Sequence, residues 1–254
     1  MPLAGVEMPA LAEIVAWCDQ QLHPADVDDY CPNGLQVEAC DQVRKIVSGV
    51  TASLDLIQAA VAQQADVLLV HHGYFWRGEP DSLTGMKGRR IRALMQNNLS
   101  LIAYHLPLDA HPTLGNNARL GVQLGLNGQP DAGHALLWGA TLSAPLSTTE
   151  LTEYLGQQLQ RSPIVIDAKQ PIRRLAWCTG AAQGMITQAA AAGYDAYLSG
   201  EISEQTQHQA RELGITYFAA GHHATERYGV QALGAELASR FDLQHHFIDL
   251  DNPA

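Results

Sequence analysis

Residues 44–73, RKIVSGVTASLDLIQAAVAQQADVLLVHHG, carry the pattern that decides the fold. Ile46 to Val50 form a short apolar run, as a buried strand requires. An Ala-rich stretch of helical length comes next. Asp66 then opens a second apolar run, Val67–Val70, which ends in His71 and His72. A strand, a helix and a second strand in this order form a unit suited to a parallel sheet. The order returns 129 positions later in RRLAWCTGAAQGMITQAAAAGYDAYLSGEI, from Arg173, with Asp195 in the place of Asp66.

The segments after the two copies also agree. ALMQNNLSLIAYH, from Ala93, resembles ARELGITYFAAGH, from Ala210, which sets His105 roughly opposite His222. Further on, NNARLGVQLGL resembles ATERYGVQALG, so that Arg119 faces Arg227 and Gly121 faces Gly229. Solenoid units run about 20–50 residues, shorter than this repeat. The pattern predicts a duplicated α/β fold with mainly parallel sheets, its halves at residues 1–126 and 127–254. Ligands of such sheets bind beyond the carboxyl ends of the strands. Between the copies, NGQPDAGH reads as a turn-rich linker, LSTTELTEYLGQQLQ as a helix capped by Ser or Thr with Glu after it, and SPIVID as a short strand.

The formal net charge of −11 argues against a dedicated nucleic-acid binder, which needs a basic face. Cys18, Cys31, Cys40 and Cys178 form no CxxC pair, so neither a disulfide framework nor a zinc ribbon is expected. The opening MPLAGVEMPALAEIV lacks a basic segment leading into an apolar one. No run approaches the length of a membrane span, about 18 apolar residues. These features predict a soluble, cytoplasmic protein.

The chemistry gathers at strand ends. Adjacent residues of a continuing strand face opposite ways, but Gly73 offers His71 and His72 a turn that brings both rings to one region. Histidine is a common nitrogen ligand of transition metals, although two hydrogen-bonded loop histidines explain the pair equally simply. YHLPLDAHPTLGNN places His105, Asp109 and His111 in a loop after another strand. Asp109 is either a metal-bridging carboxylate or a turn residue. GHHATERYG brings His222, His223 and Glu226, with Glu226 in the first turn of a helix and four residues from His222. Three histidines and two carboxylates suit two divalent ions about 3.5–4 Å apart, and mixed N/O ligation suits Zn, Mn, Fe or Co.

LSGEIS occupies the place of VHHGYF, which directs Glu201 toward the same cleft as a general base or outer acceptor. A helix N-terminal glutamate is the plainer alternative. DDYCPNGLQVE signals a turn at Asn33-Gly34. Tyr74, Phe75 and Trp76 either stack on a planar ring or pack at a subunit interface. Arg77, Arg119 and Arg227 are the cations nearest these motifs in the chain.

Together, NGLQV, LLVHHGYFW, HLPLDAHPTLGNNARL, YLSGEISEQ and GHHATERYG resemble the Ngg-one-interacting-factor-three-like family, the GTP cyclohydrolase 1 type 2 homologues, in its short bacterial form. The resemblance runs from about residue 10 to residue 250. It implies two similar α/β domains with a dinuclear metal site between them. The implied ligands are His71, His72, Asp109, His222 and Glu226, with Asp109 and Glu226 bridging or nearly so. It also implies a ring-shaped homohexamer.

The functional expectation is a dinuclear metal-dependent hydrolase acting on a small molecule such as a nucleotide or phosphoester. GTP ring opening at C8 is the leading specific reaction, with Glu201 or His105 carrying protons. A non-catalytic metal carrier, insertase or scaffold would use the same ligands without a substrate. A di-metal oxidase would reveal itself by colour and oxygen dependence.

Overall fold

The computed structural model of the chain describes residues 8–131 and 133–254. The leader-free reading of the N-terminus therefore falls partly on residues 1–7, outside the described residues, as does Ala132 of the supposed linker. In chain order the first elements are α1 (Leu11–Leu22), β1 (Gly34–Val37), β2 (Lys45–Thr51), α2 (Leu54–Ala62), β3 (Val67–His72), α3 (Gly85–Gln96), β4 (Ser100–Ala103), α4 (Leu106–Ala110) and α5 (Asn116–Gln123). Then come β5 (Gln129–Asp131), β6 (His134–Leu146), α6 (Thr148–Leu159), β7 (Ile164–Ile166), β8 (Ile172–Trp177), α7 (Ile186–Ala191), β9 (Ala196–Ser199) and α8 (Glu204–Leu213). The last are β10 (Thr216–Ala219), α9 (His222–Thr225), α10 (Arg227–Phe241) and β11 (Gln244–Phe247). Among the described residues no helix is long and apolar enough to cross a membrane.

The strands form two sheets, ordered β1-β4-β3-β2-β11 and β5-β6-β8-β9-β10-β7. In the first, β11, β2, β3 and β4 run parallel and β1 closes one edge antiparallel to β4. In the second, β8, β9 and β10 run parallel, while β7 pairs antiparallel with β10 and β6 antiparallel with β8.

The repeat is visible in the hydrogen bonds as well as in the strand order. Asp66 accepts from the backbone N–H of Arg44 and Lys45 at 2.8 and 3.0 Å. Asp195 accepts from Arg173 and Arg174 at 2.9 and 2.8 Å. The backbone carbonyl of each aspartate also takes an N–H from the next strand at 3.0 Å, Ser100 in one copy and Thr216 in the other. An acidic residue at this point thus satisfies donors at the entrance of the preceding strand, which is why both copies carry it.

The chain divides into two compact units. One runs to Leu108 and takes back Val230–Leu250; the other holds Asp109–Gly229 and Asp251–Ala254. This differs from a cut between residues 126 and 127. Val230–Leu250 returns because Gln244–Phe247 of β11 pair in parallel with Lys45–Ser48 of β2, and residues 109–126 leave because Ala118, Leu120 and Leu124 pack in the core of Trp138, Leu155 and Trp177. The supposed linker also differs, because β5 and the long β6 form an antiparallel pair there. Ala140 and Leu142 of β6 are buried and alternate with exposed Thr141 and Ser143, as a half-buried strand requires. The expected helix is present as α6, with Ser147 and Glu150 forming a reciprocal cap, and SPIVID contains β7.

Both sheet cores are apolar. Val67 to Val70 of β3 are fully buried, and so are Ala196, Tyr197 and Leu198 of β9. Such continuous apolar burial is typical of parallel strands covered on both faces. All four cysteines are free thiols.

At the first sheet's edge, His245 Nε2 and Ser48 Oγ lie 2.8 Å apart. Burial first, and the neighbouring His246 second, hold His245 below its ordinary value of 6.5. Its contribution to stability is therefore complete above about pH 6.5 and is lost as the pH falls below that, because the unfolded chain takes up the proton first. We expect the unfolding midpoint to drop between about pH 7.5 and about pH 5.5, and to drop less in His245→Asn. Equal drops in thermal scans of the two proteins would contradict this.

Candidate metal centre

In the first unit, β3 itself carries both histidines to its last position, rather than ending before them. Gly73 lies just past the strand and has no left-handed backbone. Its role is close approach: a Cβ there would lie 2.1 Å from Gln36 Oε1 and 2.7 Å from Ala103 Cβ. The two rings nevertheless come together, with centroids 4.5 Å apart and planes at 46°. His71 is fully buried, and its Nδ1–H donates to Tyr104 O at 2.9 Å. His72 Nδ1 lies 3.0 Å from Thr51 Oγ1.

His105 comes just after β4 and joins them, its ring centroid 5.1 Å from that of His71 and 5.8 Å from that of His72. One ligand atom from each of these three histidines lies within 4.8 Å of the other two. His105 is held from behind by Asp29, which accepts from its Nδ1–H at 2.8 Å. Asn33 Oδ1 accepts from its backbone N–H at 2.7 Å. The segment DDYCPNG is thus more than a turn. Its Asp29 and Asn33 are positioning residues that sequence reasoning missed, and Asn33-Gly34 was the only signal for them.

The rings of Tyr30 and Trp76 stand nearly perpendicular to that of His105, at centroid distances of 5.0 Å each. Of the three aromatics after His72, only Trp76 faces the imidazoles. Tyr74 is buried and donates to Ala52 O at 2.5 Å, and Phe75 lies under Lys87. Cys31 and Asp29 also group with His105. Burial first, and the Asp29 charge second, push the Cys31 thiol up to about 12, so it is a protonated thiol near neutral pH.

In the second unit, Asp109 lies on the short helix α4 rather than in a loop and is buried. Its Oδ1 accepts from Asn116 Nδ2 at 2.8 Å and from Thr179 Oγ1 at 3.3 Å. Asn117 Oδ1 in turn accepts from Thr179 N at 3.0 Å. These buried amides come from the quoted GNN, where sequence reasoning had looked only at His and Asp. His111 turns onto its own loop, its Nδ1 accepting from the backbone N–H of Leu114 at 3.0 Å.

His222 opens the one-turn helix α9, and Glu226 stands at the junction before α10, not within a first turn. His222 Nε2 lies 3.0 Å from Glu226 Oε2, and His222 Nδ1 lies 2.7 Å from Glu201 Oε1. Burial works against a proton on His222, but the bonds and charges of Glu226 and then Glu201 raise it to about 9. A carboxylate oxygen of Asp109 and one of Glu226 lie within 4.8 Å of each other.

Gly180 walls this cluster with a left-handed backbone, φ 68°. A Cβ there would stand 2.0 Å from Glu226 Oε1 and 3.3 Å from His222 Nε2. The donor chemistry fits divalent metal in both units: three imidazoles in one, an imidazole with two buried carboxylates in the other.

The arginines are less suited to a phosphate. Arg77 is exposed and contacts Asp28 and the backbone of Asp29. Arg119 is exposed. Arg227 donates to Leu159 O at 3.0 Å and lies over the Tyr228 ring.

Comparison with known proteins agrees with this fold. The Duf34/NIF3 (NGG1p interacting factor 3) family matches residues 9–253. A Pseudomonas aeruginosa protein named "GTP cyclohydrolase 1 type 2 homolog" is 55% identical over 249 residues, spanning 96% of this chain and 99% of that one. The solved structure of protein ybgI, described as of unknown function, superposes with a TM-score of 0.94 at 45% identity, over 97% of this chain and all of that one. TTHA1606 from Thermus thermophilus gives a TM-score of 0.88 at 32% identity over the same shares. The chain belongs to the Duf34/NIF3 family.

Proposed function

We propose that the chain is a metal-dependent hydrolase that binds two divalent ions through His71, His72, Asp109, His222 and Glu226. The observation that carries this reading is the donor set. His71 and His72 end β3, Asp109 lies on α4, and His222 and Glu226 flank α9, with His71, Asp109 and His222 each held by a further hydrogen bond. Such outer partners orient ligands and raise their basicity.

When bound, a pair of divalent ions supplies Lewis acidity and lowers the pKa of water. The chain's own contributions are distinct. Asn116 and Thr179 aim Asp109. Glu201 fixes the ring of His222 and, being partly exposed, is one candidate to carry a proton; His105 is the other. Trp76 places an aromatic ring beside His72 and His105 for contact with a planar substrate.

The specific reaction we propose is hydrolytic opening of a purine ring, as in GTP, in which water adds at C8 and the C8–N9 bond breaks, N9 taking the proton and C8 remaining as a formamide on N7; nucleotide or phosphoester hydrolysis is the wider class. A cytoplasmic homohexameric ring belongs to the same proposal, and sedimentation of the untagged protein checks the assembly.

The test is turnover of GTP and simple phosphoesters by protein reconstituted with Mn, Fe, Co or Zn. We expect product with metal and none after chelation. Full metal occupancy without turnover of any of these would leave the carrier reading in place of the hydrolase.

A further inference from the structure

We infer that His105 is a third imidazole ligand beside His71 and His72, and that Asp29 is the residue that positions it. The inference rests on the metal-binding reading proposed above and extends its ligand set.

The three histidines form a group within one unit, with one ligand atom of each within 4.8 Å of the others. Every one has its Nδ1 against an oxygen of that same unit: Tyr104 O for His71, Thr51 Oγ1 for His72 and Asp29 Oδ1 for His105. Carbonyl and carboxylate oxygens only accept, so Nδ1 is the donor in the bonds of His71 and His105, which turns Nε2 of each away from these partners. An imidazole whose other nitrogen donates to a carbonyl or carboxylate has the arrangement usual for a metal ligand.

Asp29 is built to hold one position. Its side chain is 4% exposed. It accepts from Leu106 N at 3.0 Å, Asn33 Nδ2 at 2.9 Å and Tyr30 N at 2.7 Å, besides His105. These four donors fix the carboxylate, and through it the orientation of the His105 ring.

The repeat points the same way. Its alignment sets His105 opposite His222. His222 shows the same pattern, a carboxylate 2.7 Å from Nδ1 (Glu201) and a proposed ligand 3.0 Å from Nε2 (Glu226). His105 then belongs with the ligands and not with the proton carriers, leaving Glu201 for that role.

Titration of the full chain with Co(II), monitored by its visible ligand-field bands, tests this. Circular dichroism of each variant verifies the fold. Asp29→Asn should weaken binding about 10–100-fold. His105→Gln should weaken it further and shift the bands, since one nitrogen donor leaves the ion. A shape-preserving change that only disturbed packing would not shift them. Wild-type affinity and unshifted bands in both variants would overturn the inference, provided His71→Ala abolishes binding. If His71→Ala binds Co(II) as the wild type does, or the wild type binds none, the metal reading itself falls along with it.

Discussion

His71→Ala and Asp109→Ala should each lose bound divalent metal and keep the fold. Either change removes a proposed ligand outright. The loss should therefore exceed the about 10–100-fold typical when only an outer partner is removed. The fold has reason to survive both. Removing the His71 imidazole takes a hydrogen bond from Tyr104 O, and removing the Asp109 carboxylate takes acceptors from Asn116 and Thr179. Each change should cost about 1–3 kcal/mol, within the about 5–15 kcal/mol of a typical domain. Asp109→Asn separates charge from shape. Its amide oxygen can still accept from Asn116, so stability should recover while metal binding stays weak. Elemental analysis together with thermal unfolding checks all three proteins. Full metal content in His71→Ala and Asp109→Ala would remove both residues from the site.

Gly180→Ala should abolish metal binding at modest cost to stability, whereas Gly200→Ala should chiefly destabilise the fold. At Gly180 the added methyl would collide with Glu226 Oε1 at 2.0 Å and crowd His222 Nε2 at 3.3 Å. Glu226 can swing its carboxylate away, so the site yields before the backbone does. The left-handed φ of 68° adds about 1–2 kcal/mol. At Gly200 the methyl would meet Gly180 O and His222 Cα, both at 2.7 Å. These are backbone atoms and cannot swing, so overpacking costs about 1–3 kcal/mol or more. Metal content and the urea midpoint, measured on both variants, should rank them in opposite orders. The same order in both measurements would refute this separation.

The parallel centre of each sheet was legible because its cause is local. A strand, an Ala-rich helix, an aspartate and a second strand recur, and Asp66 and Asp195 make the same bonds. The capped helix α6 was legible for the same reason, through Ser147 and Glu150. β11 was not. Nothing local in QHHF says that it pairs with β2, which lies about 200 residues earlier, and that pairing draws Val230–Leu250 into the first unit. β6 was missed: ATLS alternates as a strand does, but the Gly and Pro around Gln129 read as a linker.

At the site, the His and acidic letters marked chemistry by type alone. The residues that hold them did not. Asp29, Asn33, Asn116 and Thr179 act through hydrogen bonds between chain segments, and such long-range partners leave no periodic trace. Gly73 illustrates the difference. A glycine after two histidines suggested a turn, yet its small size serves packing against Gln36 and Ala103.

The most direct measurement of the central claim is the number of metal ions per chain in untagged protein, by elemental analysis as purified and after reconstitution with Mn, Fe, Co and Zn in turn. Two ions per chain are predicted with at least one of these metals, removable by a chelator and absent from Asp109→Ala. Less than one ion per chain under every condition, in protein with native circular dichroism, would contradict the metal centre and the hydrolase built on it.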